Sequence, residues 1–409
     1  MTGEDRTWLV ERALAAGFDL AGIAAVPAVE SDAAVRLDAR YAAWIAEGRA
    51  GGMEWLKRTD EAGQLVRGDV RRAFPWARSV LVCALEYGLQ GAPRSIDAAE
   101  AGAGWIARYA WSGGAAEQQN GKAAEQQNGK AAEQQNSGTA EHGSAVPGGS
   151  DYHEVLLPRL KAVEAELKAR FGEALETRCY VDTGPIVERA IAEWAGIGWV
   201  GKNACLLNQE RGSWMLLGVI VTELELESAQ WTLPAADRCG SCTRCIDACP
   251  TDALVAPRQM DASRCIAYLT IEHKGAIDEA LREPMGRQVF GCDICQDVCP
   301  WNAKSARGPV VADWKRMPSR EALINPDLAW LASMESRDFK QWFRGSPLER
   351  TGKKRLHRNV AIAMGNSGEA RFVPQLETWA AGADEVLADA ARWAMARIEA
   401  LGQSGERRD

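Results

Sequence analysis

CGSCTRCIDACPTDA, residues 239–253, places four cysteines at C-x2-C-x2-C-x3-C and a proline directly after the last of them. In iron–sulfur segments of this spacing three close thiolates hold one 4Fe-4S cube, while the cysteine before proline reaches over to another. The run therefore predicts a second cluster. GCDICQDVCPWN, residues 291–302, supplies Cys292, Cys295 and Cys299 as C-x2-C-x3-C-P, and Cys265 in SRCIAYLTIEHKG lies upstream as a displaced member. Crossing over assigns Cys239, Cys242, Cys245 and Cys299 to cluster one, and Cys249, Cys265, Cys292 and Cys295 to cluster two. Zinc is the competing occupant of C-x2-C pairs. The all-sulfur ligand set and the repeated cysteine-proline ending favour two 4Fe-4S cubes. Cys83, Cys179 and Cys205 sit in apolar segments and read as buried thiols.

The rest of the chain bounds what those clusters serve. At 409 residues and 46% apolar composition, two or three globular domains are expected. The N-terminus, MTGEDRTWLVERALAAGFDLAGIAA, is amphipathic and acidic. No apolar run approaches the roughly 20 residues of a membrane span. A cytoplasmic protein without membrane contact is expected, in which clustered cysteines hold metal rather than disulfides. The net charge of −8 argues against general adhesion to nucleic acid but leaves room for a local basic patch.

A cluster pair only carries electrons, so the partner chemistry lies elsewhere. In TRCYVDTGPIVERAIAEWAGIGWVGKNACLL, residues 177–207, the pattern predicts a strand over 179–181, a turn at Asp182-Thr183-Gly184 and a helix from near Pro185. Ile186, Val187, Ala190, Ile191 and Trp194 recur at helical spacing and Gly196 ends the run. Asp182 stands at the junction. It is either the helix N-cap or a general acid, and the acid reading needs an apolar neighbour to keep the carboxyl protonated.

Three parts follow in order. Residues 1–235 mix helical patterns with apolar strands such as SVLVCALEY and GSWMLLGVIVTEL, as in an α/β catalytic domain; residues 236–303 carry the clusters; residues 304–409 are helical. The whole is an α+β multidomain chain. RNVAIAMG at 358–365 is echoed by ARWAMARI at 391–398, which suggests a HEAT-like helical repeat. RGSPLERTGKKRLHRN, residues 344–359, concentrates Arg344, Arg350, Lys353, Lys354, Arg355 and Arg358 in an acidic chain. It is either a solvated helix face or a phosphate-binding surface.

VDTGPIVERAIAEWAGIGWVGKN, GSWMLLG, CGSCTRCIDACPTDAL, CIAYLTIEHKG, GCDICQDVCPWN, RYAW and DYH together resemble epoxyqueuosine reductase, from about Leu9 to about Leu401. The resemblance implies reduction of the epoxide of epoxyqueuosine at the wobble position of certain tRNAs, giving queuosine. It implies cobalamin fed by two 4Fe-4S clusters; an external electron donor and a monomeric enzyme are expected. The catalytic aspartate of the family's VDTG motif falls on Asp182. Tyr109, Asp182, Lys202, Asn203, Ser213, Trp214 and Asp293 are the expected cobalamin contacts. The C-terminal helices are expected to hold tRNA through Lys353, Lys354, Arg355 and Arg358, with Lys274 near the anticodon loop. The D-x-H-x-x-G motif of cobalamin mutases is absent. His153 is the one candidate cobalt ligand near DYH, against a structural histidine bonded to Asp151. The chain departs from the family in AAEQQNGKAAEQQNGKAAEQQN, residues 115–136, an octad repeat between RYAW and DYH that reads as a disordered loop.

Two rival readings share parts of this pattern. A cobalamin-dependent reductive dehalogenase has similar electron chemistry, but the chain shows no twin-arginine signal and carries basic C-terminal helices. A protein that only carries clusters would not need the VDTG segment or the large upstream domain.

Overall fold

The computed structural model describes residues 1–88, 92–97, 99–111, 151–227, 234–305 and 321–405. The octad repeat lies outside them. At the centre of the first part is a four-stranded sheet of β1 (Leu20–Ala25), β2 (Ser79–Glu86), β3 (Thr177–Tyr180) and β4 (Met215–Thr222), in the order β1-β2-β4-β3. The apolar runs of the sequence become its central strands β2 and β4. Leu81, Cys83 and Leu85 of β2 join one core, while Val80, Val82 and Ala84 join another, so the strand is buried on both faces. Each such aliphatic side chain contributes roughly 1.5–3 kcal/mol. Every pairing in this sheet is antiparallel, with Cys83 opposite Gly218 and Cys179 opposite Ile220. This corrects the expectation of an α/β domain: the arrangement is α+β. A strand covered on both faces reads as the same apolar run in either kind of sheet.

One face is covered by α1 (Gly3–Ala15) and α2 (Tyr152–Phe171), through Leu9, Ala13, Leu156, Leu160 and Val163. Gly218 permits the approach of α2, because a Cβ there would stand 2.8 Å from Leu160 Cδ1. The other face is covered by α3 (Glu188–Trp194) through Ile191 and Ala192. Gly196 closes α3 with a φ of +75°, where a glycine is favoured.

Trp105–Ile106 pairs in parallel with Gln288–Phe290, and this short ladder joins the first part to the cysteine-rich segment. Trp105, Ile106 and Trp111 then share a core with Ile266, Leu269 and Phe290 and with Leu356, Val360 and Ala394 of the C-terminal helices. That core draws on both sides of residue 303. The C-terminal helices α4 (Gly352–Ser367), α5 (Val373–Ala380) and α6 (Glu385–Gly405) pack on one another. The two similar segments of sequence face each other there, and a Cβ on Gly365 would meet Ala394 Cα at 2.7 Å. Among the described residues no helix is long and apolar enough to cross a membrane.

Candidate functional site

Each C-x2-C unit leads into a single helical turn, Arg244–Asp247 in one case and Ile294–Asp297 in the other, and the two turns pack together. Burial pushes the Cys245 thiol up to about 11, helped by the nearby thiols of Cys299, Cys239 and Cys242. Cys292 is raised by burial and by Cys265 and Cys249. These neighbours fall within the two crossed sets expected from the spacing. Cys205, expected as a buried thiol, is half-buried and lies against Cys295, whose thiol is raised first by Cys205 and next by burial.

Asp182 follows β3 at a φ of +59°, and the Thr183 N–H donates to the Val181 carbonyl at 2.7 Å across it. This is a γ-turn with positive φ, a sparsely populated geometry that aspartate tolerates better than most residues. The expected helix starts later than Pro185, at Glu188, with Val187 at its N-cap and no capping side chain. Asp182 is therefore not a cap. Its carboxyl is exposed, and Oδ2 accepts from the Tyr152 hydroxyl at 3.1 Å. Glu188 faces the same turn, and its Oε1 is buried with no hydrogen-bond partner. Burial pushes this carboxyl up to about 7, with Asp182 adding to the effect and Arg67 and Arg189 opposing it.

Tyr109 stands edge-on to Tyr152, ring centres 6.0 Å apart, and also lies 6.0 Å from Phe290, two residues before Cys292. An aromatic path thus runs from the aspartate turn to the cluster segment. The other expected cobalamin contacts lie on the same seam. Lys202 Nζ donates to the Gly240 carbonyl at 2.6 Å, and Asn203 Nδ2 to the Cys295 carbonyl at 3.3 Å. Ser213 Oγ donates to Gln296 Oε1 at 2.8 Å, and its N–H to Asn302 Oδ1 at 2.6 Å. Asp293 accepts from the Arg108 N–H at 2.7 Å and from Trp105 Nε1 at 3.2 Å, and burial pushes it up to about 7. Trp214 lies under the Arg108 guanidinium. Asn203, Ser213, Trp214 and Asp293 are all buried. Their side chains pack and bond across the seam itself, while Tyr109, Asp182 and Lys202 keep accessible surface.

Comparison with known proteins now gives this seam a family. Residues 238–302 match the 4Fe-4S double cluster binding domain, and residues 67–114 and 122–183 match the epoxyqueuosine reductase QueG domain. An epoxyqueuosine reductase of Xanthomonas campestris is 33% identical over 93% of both chains. The chain belongs to the epoxyqueuosine reductase family. A Synechocystis epoxyqueuosine reductase is 38% identical over 83% of this chain and 98% of its own. Two solved structures agree in fold, each covering 97% of this chain and 90% of the other at 28% identity. One is an epoxyqueuosine reductase with an epoxyqueuosine-modified tRNA-Tyr stem loop, at a TM-score of 0.75. The other, from Bacillus subtilis at 0.73, has its catalytic loop swung out of the active site.

As in any epoxyqueuosine reductase, the remaining question is where a tRNA could meet the chain. Lys274 and Lys354 are exposed; Lys354 pairs with Asp384 at 3.2 Å, and Lys353 with Glu335 at 3.2 Å. Arg355 donates to the carbonyls of Thr351, Ile271 and Glu272. Arg358 is 1% exposed and donates to the carbonyls of Leu269, His273 and Gly275 and to Asn359 Oδ1. Both arginines therefore brace the loop that carries Lys274. A phosphate contact for Arg358 is contradicted by its burial, which also lowers its pKa to about 10. His153 has the contacts of the structural alternative. Its Nδ1 is 2.7 Å from Asp151 Oδ1 and 3.0 Å from Arg350. One ring nitrogen holds either a proton or a lone pair, and the shorter contact to a carboxylate gives Nδ1 the proton.

Proposed function

We propose that this chain reduces epoxyqueuosine at the wobble position of tRNA to queuosine in the cytoplasm, with two 4Fe-4S clusters, cobalamin and Asp182 as the proton donor. Opening an epoxide to an alkene consumes two electrons and two protons and releases the oxygen as water. Cobalamin, when bound, supplies the strongly reducing centre that receives electrons from the clusters one at a time. The chain supplies the rest. The observation that carries this reading is the γ-turn that holds an exposed, uncapping carboxyl, bonded to Tyr152 and linked through Tyr109 to Phe290, two residues before Cys292. Asp182 protonates the departing oxygen, a role that fits a side chain reaching out of a strained turn rather than one committed to a helix end. Tyr109, Asp182 and Lys202 offer the accessible contacts for cobalamin, and the buried Asn203, Ser213, Trp214 and Asp293 shape the wall behind them. The residues fit such a group: Asp182, Tyr109 and Lys202 keep accessible surface beside the segment that carries the cysteines.

The division of labour is that residues 1–235 bind cobalamin, 236–303 carry electrons, and 304–409 form a HEAT-like surface for tRNA, with Lys274 and Lys354 as the phosphate contacts that remain accessible. The protein acts as a monomer with an external electron donor. The named relatives, all of them epoxyqueuosine reductases, favour this reading over dehalogenation. Protein reconstituted with iron, sulfide and cobalamin is expected to convert an epoxyqueuosine-containing anticodon stem loop to queuosine, and to lose that activity without cobalamin. Conversion of a halogenated aromatic with no action on the stem loop would overturn it.

A further inference from the structure

Arg350 is the one cation of the 344–358 stretch whose described bonds run to the catalytic sheet side. It lies in the short turn Pro347–Thr351 that leads into α4, yet its guanidinium lies 5.3 Å from the Tyr152 ring centre and 3.3 Å from Asp151 Oδ2. Tyr152 is the first residue of α2, and Asp151 is the N-cap of that helix. The carboxylate has a full set of duties: Oδ1 takes the His153 N–H at 3.0 Å and His153 Nδ1 at 2.7 Å, while Oδ2 faces Arg350. The Tyr152 ring is held on its other sides by His153, ring centres 4.2 Å apart, and by Tyr109. It is 7% exposed, so it has little freedom to turn. Its hydroxyl is then aimed at Asp182 Oδ2 at 3.1 Å.

We propose that Arg350 is a positioning residue for the reaction: from the C-terminal helical part it fixes the Tyr152 ring, and Tyr152 fixes the carboxyl of Asp182. The inference rests on Asp182 being the proton donor. The guanidinium contributes through the ring face and through a charged hydrogen bond to the helix cap, a combination that the compact ammonium of lysine reproduces poorly. The Tyr152 hydroxyl donates to one oxygen of the carboxyl, Oδ2. When the carboxyl is protonated to act, the hydroxyl keeps the same oxygen in place and leaves the other free to face the substrate. The titratable groups that face Asp182 are Tyr152, Tyr109 and Glu188. The arrangement ties the proton-donating turn to the part of the chain where tRNA is proposed to dock, so docking that displaces Arg350 would release the turn.

The test compares Arg350→Gln, Arg350→Lys, Tyr152→Phe and Asp182→Asn in the full-length holoenzyme with an epoxyqueuosine stem loop. Arg350→Gln and Tyr152→Phe are expected to lower kcat by about tenfold, the value of one lost hydrogen bond in a positioned group, with KM nearly unchanged. Arg350→Lys should recover only part of the loss. Infrared difference spectra against Asp182→Asn, recorded without cobalamin, should show the Asp182 carboxylate stretch displaced in both variants, as the loss of one positioned hydrogen bond requires. A raised KM and a flattened salt dependence in Arg350→Gln, with kcat and the carboxylate stretch unchanged, would overturn the proposal and make Arg350 a phosphate contact. An active Asp182→Asn would instead remove the proton donor itself, a failure distinct from the first.

Discussion

The cysteine segment 238–302 and the helix 352–367 share a core, yet they differ in how far their chemistry could be read beforehand. For the cysteines, spacing alone suffices to propose the ligand sets, and each C-x2-C leads into a one-turn helix. For the arginines, spacing decides little. Arg355 and Arg358 are as basic as Lys354, but the loop after Ile266–Ile271 folds over them and consumes their donors with carbonyls. A soft ligand is committed by its near neighbours in sequence, whereas a guanidinium is committed by whatever tertiary structure covers it.

The comparison can be broken first at Cys299. It lies 54 residues after Cys245, yet Cys245 feels it more strongly than the two cysteines nearer in sequence. Cys299→Ser should lose about half of the iron and acid-labile sulfide and remove the paramagnetic signal of one cluster only. Loss of neither cluster, or of the one ligated by Cys249, would show that the segments do not cross over.

Arg358→Met sharpens the other side. Leaving several buried carbonyls without a donor should lower stability by about 3 kcal/mol, read in denaturant unfolding. The folded fraction should keep the wild-type salt dependence for stem-loop binding. A stable variant with a shallower salt slope would return Arg358 to the tRNA surface.

Glu188 gives a pH test between these extremes. Its carboxyl rises from an ordinary 4.5 to about 7 on folding, so the folded state holds the proton more tightly than the unfolded one. Stability is then greatest below about pH 4.5 and declines as pH rises toward 7, by on the order of 3 kcal/mol. Unfolding of Glu188→Gln followed across that range should lack this decline. An identical pH dependence in the two proteins would mean that the buried oxygen has a partner in solution.

The smallest effect is expected at Lys354, whose side chain is 85% exposed beside Asp384. Lys354→Ala should change stability by less than about 0.5 kcal/mol. It should reduce the salt slope of stem-loop binding by about one phosphate contact. Equal salt slopes would move the docking surface away from α4.

Much of the fold could be read along the chain. SVLVCALE and MLLGVIVT became β2 and β4, and Gly196 ended its helix. Strand direction could not be read, because double burial erases the alternation that distinguishes the two kinds of sheet. The late start of α3 was also hidden: Ile186 and Val187 fit a helical period, but both precede the first helical residue. At the site, Asp182 was visible through its motif. The contacts that hold it were not, since Tyr152 is 30 residues away and Arg350 lies 197 residues from His153. Cys205 escaped for the same reason: its partner Cys295 belongs to another segment.

The central claim is that the Asp182 carboxyl delivers the proton. Its most direct test is single-turnover conversion of an epoxyqueuosine stem loop by Asp182→Asn loaded with both clusters and cobalamin and reduced beforehand. The amide matches the carboxyl in shape and cannot donate an acidic proton, and Asp182 caps no helix. The variant should therefore keep its melting temperature, iron content and cobalamin affinity while conversion falls by at least about 100-fold. Conversion within a few-fold of wild type would contradict the account and assign the proton to another group.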